Sequence, residues 1–176
     1  MECGVTAVQL TQGRYALIDS TDWPLVQSRT WHLAFPYVGL KYATTGKSPN
    51  RIYMHRLILN PPEGMQTDHI NGDGLDNRRA NLRGCSAAQN VMNQRPHRDK
   101  VHSKFKGVTK EMPVFRRKPW RASIVIGGTQ RRIGLFATEG EAARAYDTAA
   151  LEEFGVFART NGTLPAGKGP GEAVKP

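Results

Sequence analysis

The sequence predicts an α+β protein built from small modules, and three observations carry that prediction. Short apolar alternations run through the first fifty residues. A strand, polar loop, strand and helix follow one another between residues 65 and 94, and three alternating strands precede an alanine-rich helix between 105 and 155. A chain of 176 residues holds one ordinary domain or two to three small ones, and short elements of this kind favour the latter.

In chain order, Val5 to Leu10, Tyr15 to Ile18 and Tyr37 to Tyr42 alternate with strand period and are broken by Gly13, Asp19, Asp22, Pro24 and Gly46. Residues 1–52 therefore read as a strand-rich lead-in, with Trp23, Trp31 and Tyr37 assigned to its core. The run Met54 to Leu59 reads as a short helix that Pro61-Pro62 stops. His55 on it is a packing or phosphate-contact residue. Met65 to Ile70 and Asn81 to Cys85 form a hairpin around a polar loop, and Ser86 caps a helix over roughly 87–94 that sets Asn90 and Asn93 on one face. Residues 95–104 are a basic linker.

Beyond it, Phe105 to Thr109, Pro119 to Ile126 and Gln130 to Phe136 read as three antiparallel strands, with a Gly127-Gly128 turn between the last two. Trp120, Ala122, Ile124 and Ile126 share one face, joined by Ile133 and Leu135; Arg121, Ser123, Val125 and Arg132 share the other. Thr138-Glu139-Gly140-Glu141 is a capping box that opens a helix with Ala142, Ala145, Tyr146, Ala149 and Ala150 inward, ending near Gly155. A Gly/Pro-rich tail over 162–176 is expected to be disordered.

The formal charge of +10 is concentrated. Residues 95–132 carry twelve Lys or Arg against Asp99 and Glu111, whereas residues 1–94 sum to +2 and residues 133–176 to −2. A basic block interleaved with Phe105, Phe115 and Trp120 reads as a polyanion footprint. With Cys3 and Cys85 alone there is no disulfide framework. No apolar run reaches membrane-spanning length and no secretory leader is evident, so the expectation is a soluble, unexported, cytoplasmic protein.

Chemistry concentrates between Asp68 and Asn90. Hydrolysing a phosphodiester takes a deprotonated water, a cation for developing charge and help for the leaving oxygen. Asp68 and Asn90 are oxygen donors suited to Mg²⁺ or Mn²⁺, His69 is a base working near neutral pH, and Asn81 holds the imidazole or the loop. The Asn71 to Arg79 loop then serves as scaffold. The competing reading is a plain turn, because Asn, Asp and Gly are what turns need. Counting twelve residues from Asp68 reaches Arg79, where a calcium loop requires a bidentate Glu, and that reading fails.

Asp68-His69-Ile70-Asn71-Gly72-Asp73, Asp76-Asn77-Arg78, Asn81-Leu82-Arg83 and Gln89-Asn90 resemble the HNH nucleases of phage and intron homing endonucleases, over residues 53–94. The resemblance implies a ββα-metal unit in which His69 is the general base, Asp68 and Asn90 bind the metal and Asn81 is the structural middle Asn. Bacterial relatives often brace this unit with a four-Cys zinc site; here no structural zinc is expected and packing must brace it.

Residues 105–161 resemble the Apetala-two DNA-binding domain of plant ethylene-response factors, through Phe105-Lys106-Gly107-Val108, Trp120-Arg121-Ala122, Ile133-Gly134-Leu135-Phe136 and Glu141 to Ala150. That family lays its sheet in the major groove, and Lys106, Gln130 and Arg132 fall at positions resembling its contacts. Thr109, Ser123 and Val125 depart from its usual charged residues, so its base preference does not carry over.

The expectation is therefore a site-selective, metal-dependent DNA endonuclease of HNH homing type, monomeric or homodimeric, leaving 5′-phosphate and 3′-hydroxyl ends. Its catalytic residues are His69 and Asn81, its metal ligands Asp68 and Asn90. Lys104, Lys106, Lys110, Arg116, Arg117, Arg121, Ser123, Gln130 and Arg132 would bind duplex DNA. The alternative is a non-catalytic DNA-binding regulator with a degenerate nuclease half. An RNA-binding module fits less well, since the sheet lacks paired exposed aromatics for stacking.

Overall fold

Alternation between Val5 and Ile18 makes a hairpin. In a computed structural model of the chain, which describes residues 4–35, 40–93, 103–111 and 117–162, β1 (Val5–Gln9) pairs antiparallel with β2 (Tyr15–Asp19). Tyr37, Arg116, most of the expected linker and the tail beyond Gly162 lie outside the described residues. The chain divides into two compact units, Met1–Asn90 and Val91–Pro176. Among the described residues no helix is long and apolar enough to cross a membrane.

In the first unit, Val8, Leu10, Ala16 and Ile18 of the hairpin are buried with Val26, Trp31, Ala43, Met54, Ile58 and Leu82 in one core. Burying a side chain of the Leu or Ile class contributes about 1.5–3 kcal/mol relative to leaving it in water. Pro24 opens the short α1 (Trp23–Val26), its missing N–H costing nothing in the first turn. Trp31 donates its indole N–H to the Val26 carbonyl at 3.0 Å and is 2% exposed. Trp23 differs from expectation: at the start of α1 it is 42% exposed, because the four-residue helix turns Val26 inward instead.

A second sheet follows, β3 (His32–Ala34), β4 (Tyr42–Thr45) and β5 (Ile52–Tyr53), in that order. Strand β5 runs straight into α2 (Met54–Leu59), which buries Met54, His55 and Ile58. Asn60, left-handed at φ 48°, ends it before Pro61-Pro62. The expected hairpin then appears as β6 (Gln66–His69) against β7 (Leu82–Cys85), with Asp68 opposite Arg83 and His69 opposite Leu82. Ser86 caps α3 (Ala87–Met92) reciprocally: its Oγ accepts the Gln89 amide at 3.2 Å and Gln89 Oε1 accepts the Ser86 amide at 2.8 Å. Asn93 falls beyond the helix end, so it does not share a helical face with Asn90.

In the second unit, β8 (Val108–Lys110), β9 (Trp120–Ile126) and β10 (Thr129–Phe136) form the expected antiparallel sheet, in the order β10, β9, β8. Gly127 and Gly128 both have positive φ, as the tight turn demands. Helix α4 (Glu139–Phe154) opens on a complete Thr138/Glu141 capping box and buries Ala142, Ala143, Tyr146, Ala149 and Ala150 against the sheet. Gly107 lies so close to the Tyr146 ring that a Cβ there would collide with it.

One strand alternates differently from expectation. The β9–β10 register shifts between Arg132 and Gly134, so Ile133 is an inserted residue that packs into the core and Leu135 stands opposite Arg121. Leu135 thus joins the face turned away from α4, because a bulge reverses the side-chain alternation beyond it.

Replacing Thr138 with Ala removes one reciprocal bond of the box and should lower the stability of the second unit by about 1 kcal/mol, read as a lower denaturation midpoint at unchanged slope.

Candidate active site

The β6–β7 hairpin places the polar residues, and the long loop between its strands holds them. Asn71 Oδ1 accepts the Asp73 amide at 2.8 Å and Asp73 Oδ1 accepts the Leu75 amide at 3.0 Å, so the loop turns on its own side chains. Asp76 is clamped by Arg78 through two bonds of 2.7 Å and accepts Asn71 Nδ2 at 2.9 Å; the Arg78 guanidinium accordingly holds its carboxyl below the usual range.

The loop is then stitched to β2. Leu17 donates its amide to the Leu75 carbonyl at 2.8 Å and accepts the Asn77 amide at 2.7 Å, with Asp76 in parallel bridge to Leu17. Arg79 grips both Asp22 oxygens at 2.7–3.1 Å, and its amide donates to Asp19 at 2.8 Å.

His69, at the end of β6, is 4% exposed. Its Nε2 lies 3.4 Å from Asn77 Oδ1. A carboxamide oxygen only accepts, so Nε2 carries the proton and the neutral ring has its basic lone pair on Nδ1. The Tyr42 ring stacks on the imidazole at 5.7 Å between centroids, and the His55 ring meets it edge-on at 4.9 Å. Gly74 allows this packing: a Cβ there would run into the Lys41 carbonyl and the Tyr42 ring. Burial pushes the His69 pKa down, against the Asn77 bond and the charges of Asp68, Asp73 and Asp76.

Asn81 holds the loop and not the imidazole. Its Nδ2 donates to the Asp76 carbonyl at 2.7 Å and its Oδ1 accepts the Asn71 amide at 3.0 Å. The residue on the imidazole is Asn77, fully buried within the loop that the sequence reading treated as scaffold alone. Nothing in composition or spacing marks Asn77 above its neighbours; the parallel bridge to β2, unreadable locally, selects it.

Asp68 and Gln66 share one face of β6, two residues apart and so about 7 Å along the strand. Gln66 Oε1 accepts Asn90 Nδ2 at 2.7 Å, which brings Asn90 onto that face and turns its oxygen away from Gln66. Asp68 is paired with Arg83, whose Nε and Nη2 reach Oδ2 at 2.8 and 2.6 Å. The Asp68 charge helps raise the Tyr42 phenol's pKa and opposes the lowering of the His69 pKa. A carboxylate and an oriented carboxamide oxygen are hard donors, a set that fits a divalent ion keeping several of its waters. Among the described residues no group of three or more His, Cys, Asp or Glu could hold a metal.

In the second unit the face away from α4 carries Thr109, Arg121, Leu135, Ser123, Arg132, Val125 and Gln130 in register. Arg132 and Gln130 are exposed, and Gln130 Nε2 donates to Ser123 Oγ at 3.0 Å. Arg121 lies 3.4 Å from Glu111. Lys104 and Arg117 are exposed.

Three basic residues stand elsewhere. Lys110 pairs in register with Trp120 on the side facing α4, its ammonium 5.4 Å from the indole centroid. Arg131 is bound to Glu153 at 2.6 Å. Lys106 donates its ammonium to the Met92 carbonyl, and burial lowers its pKa to about 8.

A family model falls on the hairpin and α3. Residues 60–92 match the model of the HNH endonuclease family. An uncharacterized HNH endonuclease of Acanthamoeba polyphaga mimivirus is 30% identical over 152 residues, covering 85% of this chain and 76% of the relative. No solved structure gives a significant match.

Burial, followed by the charges of His69 and Arg56, lowers the His55 pKa from an ordinary 6.5 to about 3. The unfolded chain therefore takes up a proton below pH 6.5 that the folded one refuses until about pH 3. Stability should fall as pH drops through that window, by up to about 1.4 kcal/mol per unit. Denaturant titrations from pH 7 to 4 should record the decline, with a shallower slope in His55→Phe.

Proposed function

This chain is a member of the HNH endonuclease family, and from that premise we propose that it is a metal-dependent, site-selective DNA endonuclease of homing type. In this reading β6, β7 and α3 are its ββα-metal unit, and cleavage leaves 5′-phosphate and 3′-hydroxyl ends. The observation that supports the proposal is the neutral imidazole of His69, its proton on Nε2 toward Asn77 and its ring packed against Tyr42 and His55, next in β6 to Asp68, with Asn90 hydrogen-bonded to Gln66 of the same strand.

His69 accepts a proton from the attacking water at Nδ1 and stays uncharged before that step, because its sheltered site disfavours the imidazolium. Asp68 and Asn90 are the residues that would hold Mg²⁺ or Mn²⁺. When bound, the ion supplies charge stabilisation for the phosphodiester oxygens. Gln66 orients the Asn90 carboxamide, and Asn81 and Asn77 keep the loop and the ring in register.

The second unit supplies duplex binding. Arg132, Arg121 and Gln130 on its outer sheet face, with Lys104 and Arg117 beside it, meet the phosphates and base edges. The basic block supports this reading, although Lys106, Lys110 and Arg131 spend their charge inside the unit. One active site per chain makes nicking by a monomer the basic event, and a homodimer would cut both strands.

A supercoiled plasmid nicked in Mg²⁺ or Mn²⁺, and untouched in chelator, is the expected result. His69→Ala should lose about 10²- to 10⁴-fold in rate while retaining DNA affinity; full activity in the folded variant would refute the base assignment. Arg132→Ala should weaken binding and, for a phosphate contact, reduce the log–log salt slope by about one. An unchanged slope and affinity would remove that residue from the interface.

A further inference from the structure

Asp68 and Arg83 face each other across the β6–β7 ladder, and their side chains are 7% and 14% exposed. Two bonds from the guanidinium, Nε at 2.8 Å and Nη2 at 2.6 Å, end on one atom, Oδ2. An oxygen has two lone pairs, so the pair of donors commits Oδ2 fully. Asn90 is held differently, by Gln66 through its nitrogen.

Resting on the reading that Asp68 and Asn90 hold a divalent ion, we propose that Arg83 is a positioning residue that competes with this ion for Asp68 and sets the affinity of the site. An ion that coordinates Oδ2 must displace the guanidinium, and an ion that takes only the other oxygen must sit within a few ångströms of a fixed positive charge. Arginine does not deprotonate in proteins, so a proton cannot be released to relieve either conflict.

The same pairing has a converse. In the metal-free protein a sheltered carboxylate without a partner would be strongly destabilising, and Arg83 provides the compensating charge. Arg83 thus keeps Asp68 aimed while it makes metal entry harder. The orientation of Asn90 by Gln66 is independent of that competition.

The test is Mn²⁺ binding to the full chain by titration calorimetry. Arg83→Gln should bind Mn²⁺ about tenfold or more tightly than the parent protein, because a repulsive charge beside a divalent ion is removed from a poorly solvated place. Arg83→Lys keeps the charge and should stay within about threefold of the parent. Metal-free Arg83→Gln should melt lower than the parent and gain a larger Mn²⁺-induced rise in Tm.

Equal or weaker Mn²⁺ binding by Arg83→Gln overturns the inference. Should that variant be too unstable to titrate, the Arg83 Nε–Hε resonance of the parent decides: it should shift with the Mg²⁺ isotherm, and an unmoved signal overturns the competition. Asp68→Asn separates this from the premise. Mn²⁺ binding undiminished in Asp68→Asn overturns the metal assignment itself, whatever Arg83 does.

Discussion

The docking of the Asn71–Arg79 loop onto the edge of β2 is the interaction on which the site depends. Two backbone hydrogen bonds at Leu17 fix the segment Leu75 to Asn77 as a short added strand. Once that backbone is fixed, Asn77 has one place to put its carboxamide, and that place selects the tautomer of His69. The Arg79 clamp on Asp19 and Asp22 closes the far end. Each bond contributes only about 1 kcal/mol, but together they turn a polar loop into a frame. The N-terminal hairpin thereby braces the loop.

The site is also a place where the core is unusually polar. Tyr42, Tyr53, His55 and His69 form a ring cluster beneath the hairpin, and His55 Nδ1 and Thr67 Oγ1 are buried with no hydrogen-bond partner among the described residues. A hydrocarbon core would be cheaper at every one of these positions. Met54 and Ile58 of α2 and Ala43 of β4, on the same elements as His55 and Tyr42, are buried in the apolar core. Tertiary packing against apolar neighbours therefore fixes the imidazole as much as its own strand does.

Much of this was legible in the sequence, for identifiable reasons. The β6–β7 hairpin, α2, α3 with its Ser86 cap and the capping box of α4 are local, and local signals are written in consecutive residues. Gly127-Gly128 and Thr138 to Glu141 announce their turn and cap without any knowledge of the fold. What escaped is non-local. Asn77 acquires its contact through a strand near the N-terminus, Arg83 its partner through register, and Leu135 its face through the bulge at Ile133. The partnership of Gln66 with Asn90 depends on how α3 folds back, which no periodicity reports. Lys110 and Arg131 carry the same charge as Arg132, and only pairing with Trp120 or Glu153 tells them apart.

Sixty residues of chain separate Asp19 from Arg79. Closing so long a loop is entropically costly and slow, and contacts of this kind form late in folding. During synthesis, however, the hairpin emerges before the polar loop that docks on it. A fragment starting at Tyr53 would keep every residue of the motif yet reach the end of translation with nothing to fold against.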